Sequence, residues 1–323
     1  MPGARSRQAA SGIETTPRRR PLGRAEATKS GVRYPRWYWP SFTLPGLAWL
    51  VLFFLLPFYV VVSVAFGTVD PLFRNPLPVY QPWWWSVDTF VTTAERFYAG
   101  DRIYFDPLVR TLLYVAAASL ICLVLGYAVA YYTARHAGRW RGLILVLLIS
   151  PFWISYLMRI YAWQSLLQPD GYVNDVGGLF GLSPVIWIGR PITVVFGLVY
   201  GYIPFMILPL FGFLDRIDQR LLEAGRDLGA GAFETFRRVT LPLSKPGILA
   251  GLVLVSLPMF GDYYTNNLLG STNTSMYGNL IDSAVGQAGQ GPAAGSLVLI
   301  LVAIVMIPML YYLRSTHRTA GAA

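Results

Sequence analysis

Apolar residues occur in six long runs, separated by polar segments that contain glycine and proline. A helix needs about 20 apolar residues to cross the hydrocarbon core of a bilayer, and each run is long enough. Four runs contain no charged residue, whereas the third contains Arg159 and the fifth contains Asp262. The pattern predicts an all-α integral membrane protein with six transmembrane helices, at 44–66, 111–133, 142–166, 191–214, 247–269 and 293–313.

The composition supports a membrane protein. Hydrophobic residues make up 54% of the chain and charged residues only 13%, whereas charged residues are about a quarter of a soluble domain. The formal net charge of +10 does not indicate nucleic-acid binding, because the basic residues lie between apolar runs rather than on one folded face. With Cys122 as its single cysteine, the chain has neither a disulfide framework nor a cysteine-based zinc cluster. We therefore expect the chain to be surrounded by membrane lipid and not to bind nucleic acid.

Lysine and arginine are distributed unevenly between the two sides of the predicted bundle. The segment before the first run, the second and fourth connections and the C-terminus hold 20 of them, against five in the other three connections. By the positive-inside rule both termini are cytoplasmic. Residues 1–43 are polar and predicted to form a disordered cytoplasmic tail, 44–313 the membrane domain, and 314–323 a cytoplasmic C-terminal tail.

The fourth connection, residues 215–246, is unusually regular for a loop. Asp218 is a natural N-cap for a short helix, and Gly229 is suited to the left-handed conformation that ends one. A second helix is expected to begin near Gly231 and to be ended by Pro242 and Pro246 before the fifth span. The segment is either an amphipathic cover packed on the bundle or a docking surface at the membrane's inner face.

This connection resembles the EAA motif of ABC importer permeases. The matching residues are Glu223-Ala224-Gly225, then Gly229, then Val239-Thr240-Leu241-Pro242 at the family's spacing. Gly225 stands in place of the usual second alanine, and Val239 in place of isoleucine. In that family the segment forms the coupling helices that sit in a cleft of the ATP-hydrolysing subunit. We call residues 215–246 the coupling loop; the resemblance implies an ATPase-coupling role for Glu223, Ala224, Gly225, Gly229, Leu241 and Pro242.

Other segments look like the spermidine/putrescine branch of these permeases. They are FFLLPF at 53–58, the segments 150–163 and 171–174, and the segment 261–270 with Gly278-Asn279. The resemblance implies the type I ABC importer permease fold, a multi-pass location in a bacterial inner membrane, and polyamines as the favoured substrate. A permease for thiosulfate, sulfate, phosphonate or ferric iron is the alternative, since such permeases share parts of these segments. A secondary transporter is a further alternative.

A flexible polycation is best held by carboxylates and aromatic faces, and an intramembrane acid indicates a functional site. Asp262 with Tyr263 and Tyr264, and Tyr161 and Trp163 on the third span, supply those groups and define a predicted substrate path. Alternatively, the fifth span ends earlier and Asp262 marks the outer interface, where Tyr and Trp are common. Arg159 argues against a simple cation pathway; we expect it to pair with an acid of a neighbouring subunit, or else to face an anionic substrate.

No catalytic or metal site is predicted in this chain. A phosphate-binding loop needs Gly-x-x-x-x-Gly-Lys-Ser/Thr, but Lys245 precedes a proline and Lys29 follows Thr28 where glycine is required. The resemblance therefore implies that ATP and magnesium are bound by a separate ATPase, present in two copies. It also implies a second homologous permease and an extracytoplasmic substrate-binding protein, with transport by alternating access.

Overall fold

The computed structural model describes residues 38–97 and 102–320, and these residues are mostly helical. Two short antiparallel strands pair Thr68 with Leu77. In chain order the elements are α1 (Tyr38–Leu50), α2 (Leu56–Ala65), β1 (Thr68–Val69), β2 (Pro76–Leu77), α3 (Asp88–Glu95), α4 (Phe105–Arg135), α5 (Arg141–Ile149), α6 (Tyr156–Leu166), α7 (Tyr172–Leu179), α8 (Pro191–Leu214), α9 (Gln219–Asp227), α10 (Ala232–Thr235), α11 (Leu241–Phe260), α12 (Tyr264–Leu269), α13 (Tyr277–Gly286) and α14 (Gly291–Ala320).

Five helical stretches in the described residues are long and apolar enough to cross a membrane. They are Ser41–Ala65, Phe105–Arg135, Pro191–Leu214, Ala232–Phe260 and Gly291–Leu310. A sixth span is present if the bent pair Gly138–Trp153 and Tyr156–Leu166 counts as one. The prediction of an all-α membrane protein is confirmed.

The chain divides into two compact units, one ending at Leu56 and one beginning at Pro57. In the first unit, α1 is followed by a π-helical turn at Val51–Leu55. The side chains from 42 to 56 are exposed, as expected for an apolar helix that faces lipid. The second unit contains the helical core and both candidate sites.

The core of the second unit lies between α4, α8 and α11, and Met206 on α8 is at its centre. Gly126 on α4 and Gly251 on α11 both face this side chain. A Cβ atom on Gly126 would lie 3.0 Å from Met206 Cγ, and one on Gly251 would lie 2.6 Å from its Sδ. The two glycines therefore allow three helices to approach closely, as small residues do in membrane bundles.

The predicted third span, 142–166, is wrong as one helix. A 3₁₀ turn at Ser150–Trp153 follows α5, Ile154 and Ser155 are outside helical geometry, and α6 leaves at 87°. Pro151 explains part of this break, because it has no N–H to donate to the preceding helical turn.

The predicted fifth span, 247–269, is also wrong in both bounds. The helix ends at Phe260, ahead of Gly261, and α12 is a separate short helix. At its other end the helix begins at Ala232. The second helix of the coupling loop, which Pro242 and Pro246 were predicted to end, therefore continues through both prolines into the fifth span. A π-helical turn at Phe236–Thr240 precedes Pro242; the wider turn leaves room for the proline ring, which would clash with the preceding turn of a regular helix.

The first and last helices of the described chain are longer than the apolar runs that predict them. The first begins at Tyr38 rather than 44, and α14 continues to Ala320 beyond the predicted end at 313. Apolar length reports the thickness of the bilayer and not the point at which helical hydrogen bonding ends. Residues 1–37 of the predicted N-terminal tail, and 321–323 of the C-terminal one, lie outside the described residues.

Candidate functional site

The coupling loop has the local structure that its sequence predicts over its first half. Asp218 accepts a hydrogen bond from the Arg220 N–H at 3.0 Å and so caps α9. Gly229 follows the helix with φ of +85°, a conformation that glycine adopts without steric cost. The Gly229 N–H donates to the Arg226 carbonyl at 2.9 Å. The predicted helix and left-handed stop are confirmed.

The coupling loop exposes large apolar side chains. Leu228 and Phe233 are 89% and 75% exposed, and the motif residues Glu223, Ala224 and Pro242 are exposed as well. Exposed apolar groups beside charged ones are typical of a protein-binding surface. The arrangement is suited to docking.

Gly225, where the coupling loop departs from the motif, and Leu241, a matching motif residue, are less exposed than the motif residues on the surface of the loop. A Cβ atom on Gly225 would lie 3.7 Å from Thr235 Cγ2, an ordinary van der Waals contact, so the family's alanine would fit there. Leu241 is half-buried at the start of α11. At Gly225, α9 thus packs against Thr235 and Val239 in the second half of the loop.

Asp262 is buried where α6, α8 and α12 meet, and it is only 5% exposed. Its Oδ2 accepts hydrogen bonds from the hydroxyls of Tyr156 at 2.7 Å, Thr265 at 2.7 Å and Tyr202 at 3.1 Å. Its Oδ1 accepts from the Thr265 N–H at 3.0 Å. The helix ends before Asp262, as in the alternative in which this residue marks the outer interface; the substrate-path assignment stays a prediction. The four bonds offset the cost of burying a carboxylate.

Arg159 is a second buried charge, 7% exposed. Its guanidinium carbon lies 4.4 Å from the ring centre of Phe152, 5.6 Å from that of Tyr156 and 5.9 Å from that of Tyr200. These distances are in the range of cation–π attraction. Within residues 38–97 and 102–320, Arg159 forms no ion pair and its Nε has no hydrogen-bond partner. The predicted pairing with an acid of a neighbouring subunit stays a prediction.

Tyr156 connects these two charges, since its ring faces the Arg159 guanidinium and its hydroxyl donates to Asp262. Its position depends on Gly201 of α8, where a Cβ atom would lie 2.6 Å from Tyr156 Cε2. It also depends on the bend before α6, which directs the first residue of that helix toward Asp262. Arg159 and Asp262 thus both contact the side chain of Tyr156, Arg159 at the ring and Asp262 at the hydroxyl.

The other residues of the predicted substrate path differ in how closely they are connected to Asp262 and Arg159. Trp163 packs edge-on against Tyr200 at 5.4 Å between ring centres and so joins the aromatic group around Arg159. Tyr263 and Tyr264 have ring centres 4.0 Å apart, directly after Asp262. Tyr161 is 50% exposed, and no hydrogen bond or ring contact in the described chain links it to Asp262.

Sequence reasoning missed Tyr156, Tyr202 and Thr265 as partners of Asp262. Thr265 had a local signal, because a Thr three residues after an Asp can donate to it as a helix begins. Tyr156 lies in a segment that carries the family resemblance, but its direction depends on the bend. Tyr202 lies inside an uncharged apolar run and had no signal in the sequence.

Comparisons with known proteins identify relatives over most of the chain. Residues 102–315 match the sequence family described as binding-protein-dependent transport system inner membrane component. The spermidine/putrescine transport system permease protein PotB of Escherichia coli (strain K12) is 34% identical over 274 residues, covering 84% of this chain and 95% of that protein. PotB of Haemophilus influenzae is 34% identical, covering 83% and 90%.

A solved structure has the same fold at low sequence identity. It is a bacterial ABC transporter involved in the import of the acidic polysaccharide alginate, with a TM-score of 0.66 and 18% identity, and the match covers 87% of this chain and 96% of that one. At that identity the similarity concerns the fold alone.

Proposed function

This chain belongs to the family of inner-membrane components of binding-protein-dependent transport systems, and we propose that it is the permease subunit of an ATP-driven polyamine importer. As a member of the family it is a multi-pass inner-membrane permease of an ABC transporter, a transport component that works with an ATPase and a binding protein. The proposal concerns its substrate and the residues that handle it.

The buried Asp262 carboxylate carries the proposal. Its Oδ2 is surrounded by hydroxyl groups, and aromatic rings lie on neighbouring elements, so an ammonium group could be held by charge and by cation–π contact. The Tyr202 hydroxyl forms the longest of the bonds to Oδ2, at 3.1 Å, and is the donor that a substrate ammonium would replace first. The names of the PotB relatives support the same substrate class.

Coupling of transport to ATP hydrolysis would depend on the coupling loop. With the termini and the coupling loop in the cytoplasm, as the lysine and arginine distribution supports, the exposed surface around Glu223, Leu228 and Phe233 would dock into an ATPase subunit. Two ATPase copies, binding ATP and magnesium themselves, and a second homologous permease would complete the importer. A loaded binding protein outside would favour the outward-open state.

Arg159 supports a second candidate, an importer of an anion such as thiosulfate, sulfate or phosphonate. A buried guanidinium without an ion pair in the described residues could bind an anionic group directly. Charge distinguishes the candidates: a cation requires Asp262, and an anion requires Arg159.

The test is ATPase activity of the complete complex in proteoliposomes with loaded binding protein. Spermidine, putrescine, thiosulfate, phosphonate and ferric ion are compared. We expect stimulation by a polyamine alone, reduced at least about tenfold by Asp262→Asn, which corresponds to about 1.4 kcal/mol of lost interaction. Arg139→Gln, which removes an exposed charge between α4 and α5, is the control for assembly. Stimulation by an anion alone, abolished by Arg159→Gln, would overturn the polyamine assignment and establish the second candidate.

A further inference from the structure

Three side chains on α4 form one stripe that faces the coupling loop. Tyr127, Tyr131 and Arg135 are spaced four residues apart, so they lie on the same side of the helix. They contact the coupling loop or its flanking helix ends at two places far apart in the sequence. The stripe is therefore one part of the bundle to which the loop is attached, in addition to Arg141 of α5, which pairs with Asp215 at 3.3 Å.

Arg135 holds the upstream end of the coupling loop. Its Nη2 donates to the carbonyl of Leu214 at 2.8 Å and to that of Ile217 at 2.9 Å. These carbonyls lie at the end of α8 and in the turn before α9, where helical partners are lacking. A cation there also interacts favourably with the negative end of the helix dipole. One side chain of α4 thus fixes the point at which α9 leaves the bundle.

Tyr127 and Tyr131 hold the downstream end. Phe236 packs edge-on against both rings, with ring centres 5.6 Å and 5.9 Å apart. The Tyr127 hydroxyl is 3.0 Å from the Ser244 hydroxyl. Phe236 begins the π-helical turn that precedes α11. The aromatic contacts therefore connect α4 to the second half of the loop.

The opposite end of α4 contacts the segment that supports Asp262. Arg110 donates to the Ser275 carbonyl at 3.0 Å, and the Tyr277 N–H donates to Thr111 Oγ1 at 2.7 Å. In the next residue, Gly278, a Cβ atom would lie 2.9 Å from the backbone oxygen of Asp262. The start of α4 is thus one short segment away from the turn that holds the carboxylate.

α4 is well built to carry a displacement between these two ends. Its 31 residues span about 46 Å at 1.5 Å per residue. The other long described helices, α8, α11 and α14, all contain an interior proline, whereas in α4 the only proline is Pro107 in the first turn. Interior prolines are the usual sites at which helices kink. Of these four helices α4 is therefore the least prone to bend.

We propose that α4 transmits movement of the coupling loop to the Asp262 turn, with Arg135 as the positioning residue at the loop end. The proposal rests on the coupling role of the loop proposed above. A displacement of α9 would pull on the Leu214 and Ile217 carbonyls, move the stripe, and reach the segment from Ser275 to Gly278. Arg135 touches neither substrate nor nucleotide and acts through the loop.

The test uses the complete complex in proteoliposomes and compares Arg135→Gln, Arg135→Lys and the unchanged protein. Arg135→Gln should leave the assembled complex and its basal ATPase activity in place but reduce binding-protein-stimulated uptake at least fivefold. Lysine restores the charge but not the fork that reaches two carbonyls, so Arg135→Lys should recover uptake partly. Tyr131→Leu should reduce uptake, whereas Tyr132→Leu, an exposed tyrosine next to the stripe, is the matched control and should not.

Two results would overturn the inference. One is normal stimulated uptake in Arg135→Gln; the other is loss of assembly in Arg135→Gln without recovery in Arg135→Lys, which indicates a merely structural role. Glu223→Ala and Gly229→Ala are measured in parallel. If these loop variants also transport normally, the coupling assignment itself fails; if they are uncoupled while Arg135→Gln is normal, only the role of α4 is refuted.

Discussion

Gly201→Ala gives a sharp test of the geometry around Asp262. The added Cβ atom would lie 2.6 Å from Tyr156 Cε2 and 3.1 Å from its hydroxyl oxygen, whereas carbon atoms in contact are about 3.5–4.0 Å apart. The tyrosine ring must therefore retreat by roughly 1 Å. Because its hydroxyl is 2.7 Å from Asp262 Oδ2, such a shift would take the pair beyond hydrogen-bonding distance.

The expected cost has two parts. Overpacking of a tight contact costs about 1–3 kcal/mol, and loss of a hydrogen bond to a charged acceptor costs about 1.5–3 kcal/mol. The sum is about 2.5–6 kcal/mol, less the few tenths to 1 kcal/mol that alanine gains over glycine in a helix. Gly212→Ala on the same helix adds a Cβ atom with nothing within 4 Å, so only that gain remains and the variant should be neutral or slightly stabilising.

The assay is the fraction of this subunit that stays soluble after the purified complex is heated. Gly201→Ala should lower the midpoint by several degrees relative to Gly212→Ala. In a Tyr156→Phe background the hydrogen bond is already absent, so Gly201→Ala should cost less there than in the unchanged protein. Equal midpoints for the two alanine variants, or the same cost in both backgrounds, would refute the contact between Gly201, Tyr156 and Asp262.

Three further predictions concern the coupling loop and Arg159. Gly229→Ala, at φ of +85°, should cost about 1–2 kcal/mol in loop conformation and reduce uptake, whereas Gly231→Ala, at φ of −66°, should not; equal uptake would contradict the turn assignment. Gly225→Ala should leave uptake intact and strengthen α9 by up to about 1 kcal/mol, and a loss of assembly would show that this site is tighter than 3.7 Å. Arg159→Met should be better tolerated together with Asp262→Asn than alone, because the two buried charges contact opposite ends of Tyr156 and attract each other without forming an ion pair; additive losses of thermal stability would show that the two charges are independent.

The sequence predicts the parts of this molecule that depend on local chemistry. Uncharged apolar runs such as 191–214 identify the spans, because the bilayer imposes a length, and Gly229 identifies the left-handed turn, because few other residues adopt it. Pro242 and Pro246 show the limit of such rules: the helix continues through both, and for Pro242 a π-helical turn directly ahead of it makes room for the ring. A local rule for proline does not include that adjustment.

The site around Asp262 could be predicted only in part. The acid itself is evident, since a charge in an apolar run stands out, but its partners come from α6 and α8, far away in the sequence. Tyr156 reaches it through the bend before α6, and within the 142–166 run apolar composition continues across that bend. Tyr202 is one of several aromatic residues in its span. The contacts of both tyrosines arise from tertiary packing, to which hydropathy is insensitive.

Spermidine uptake against its gradient is the most direct test of the central claim. Proteoliposomes containing this chain, its ATPase and its second permease would receive loaded binding protein outside and ATP on the side of the ATPase. The account predicts accumulation that requires ATP and the binding protein and that is lost in Glu223→Ala. Accumulation driven by an ion gradient without ATP, or ATP-driven accumulation of an anion but not of any polyamine, would contradict it.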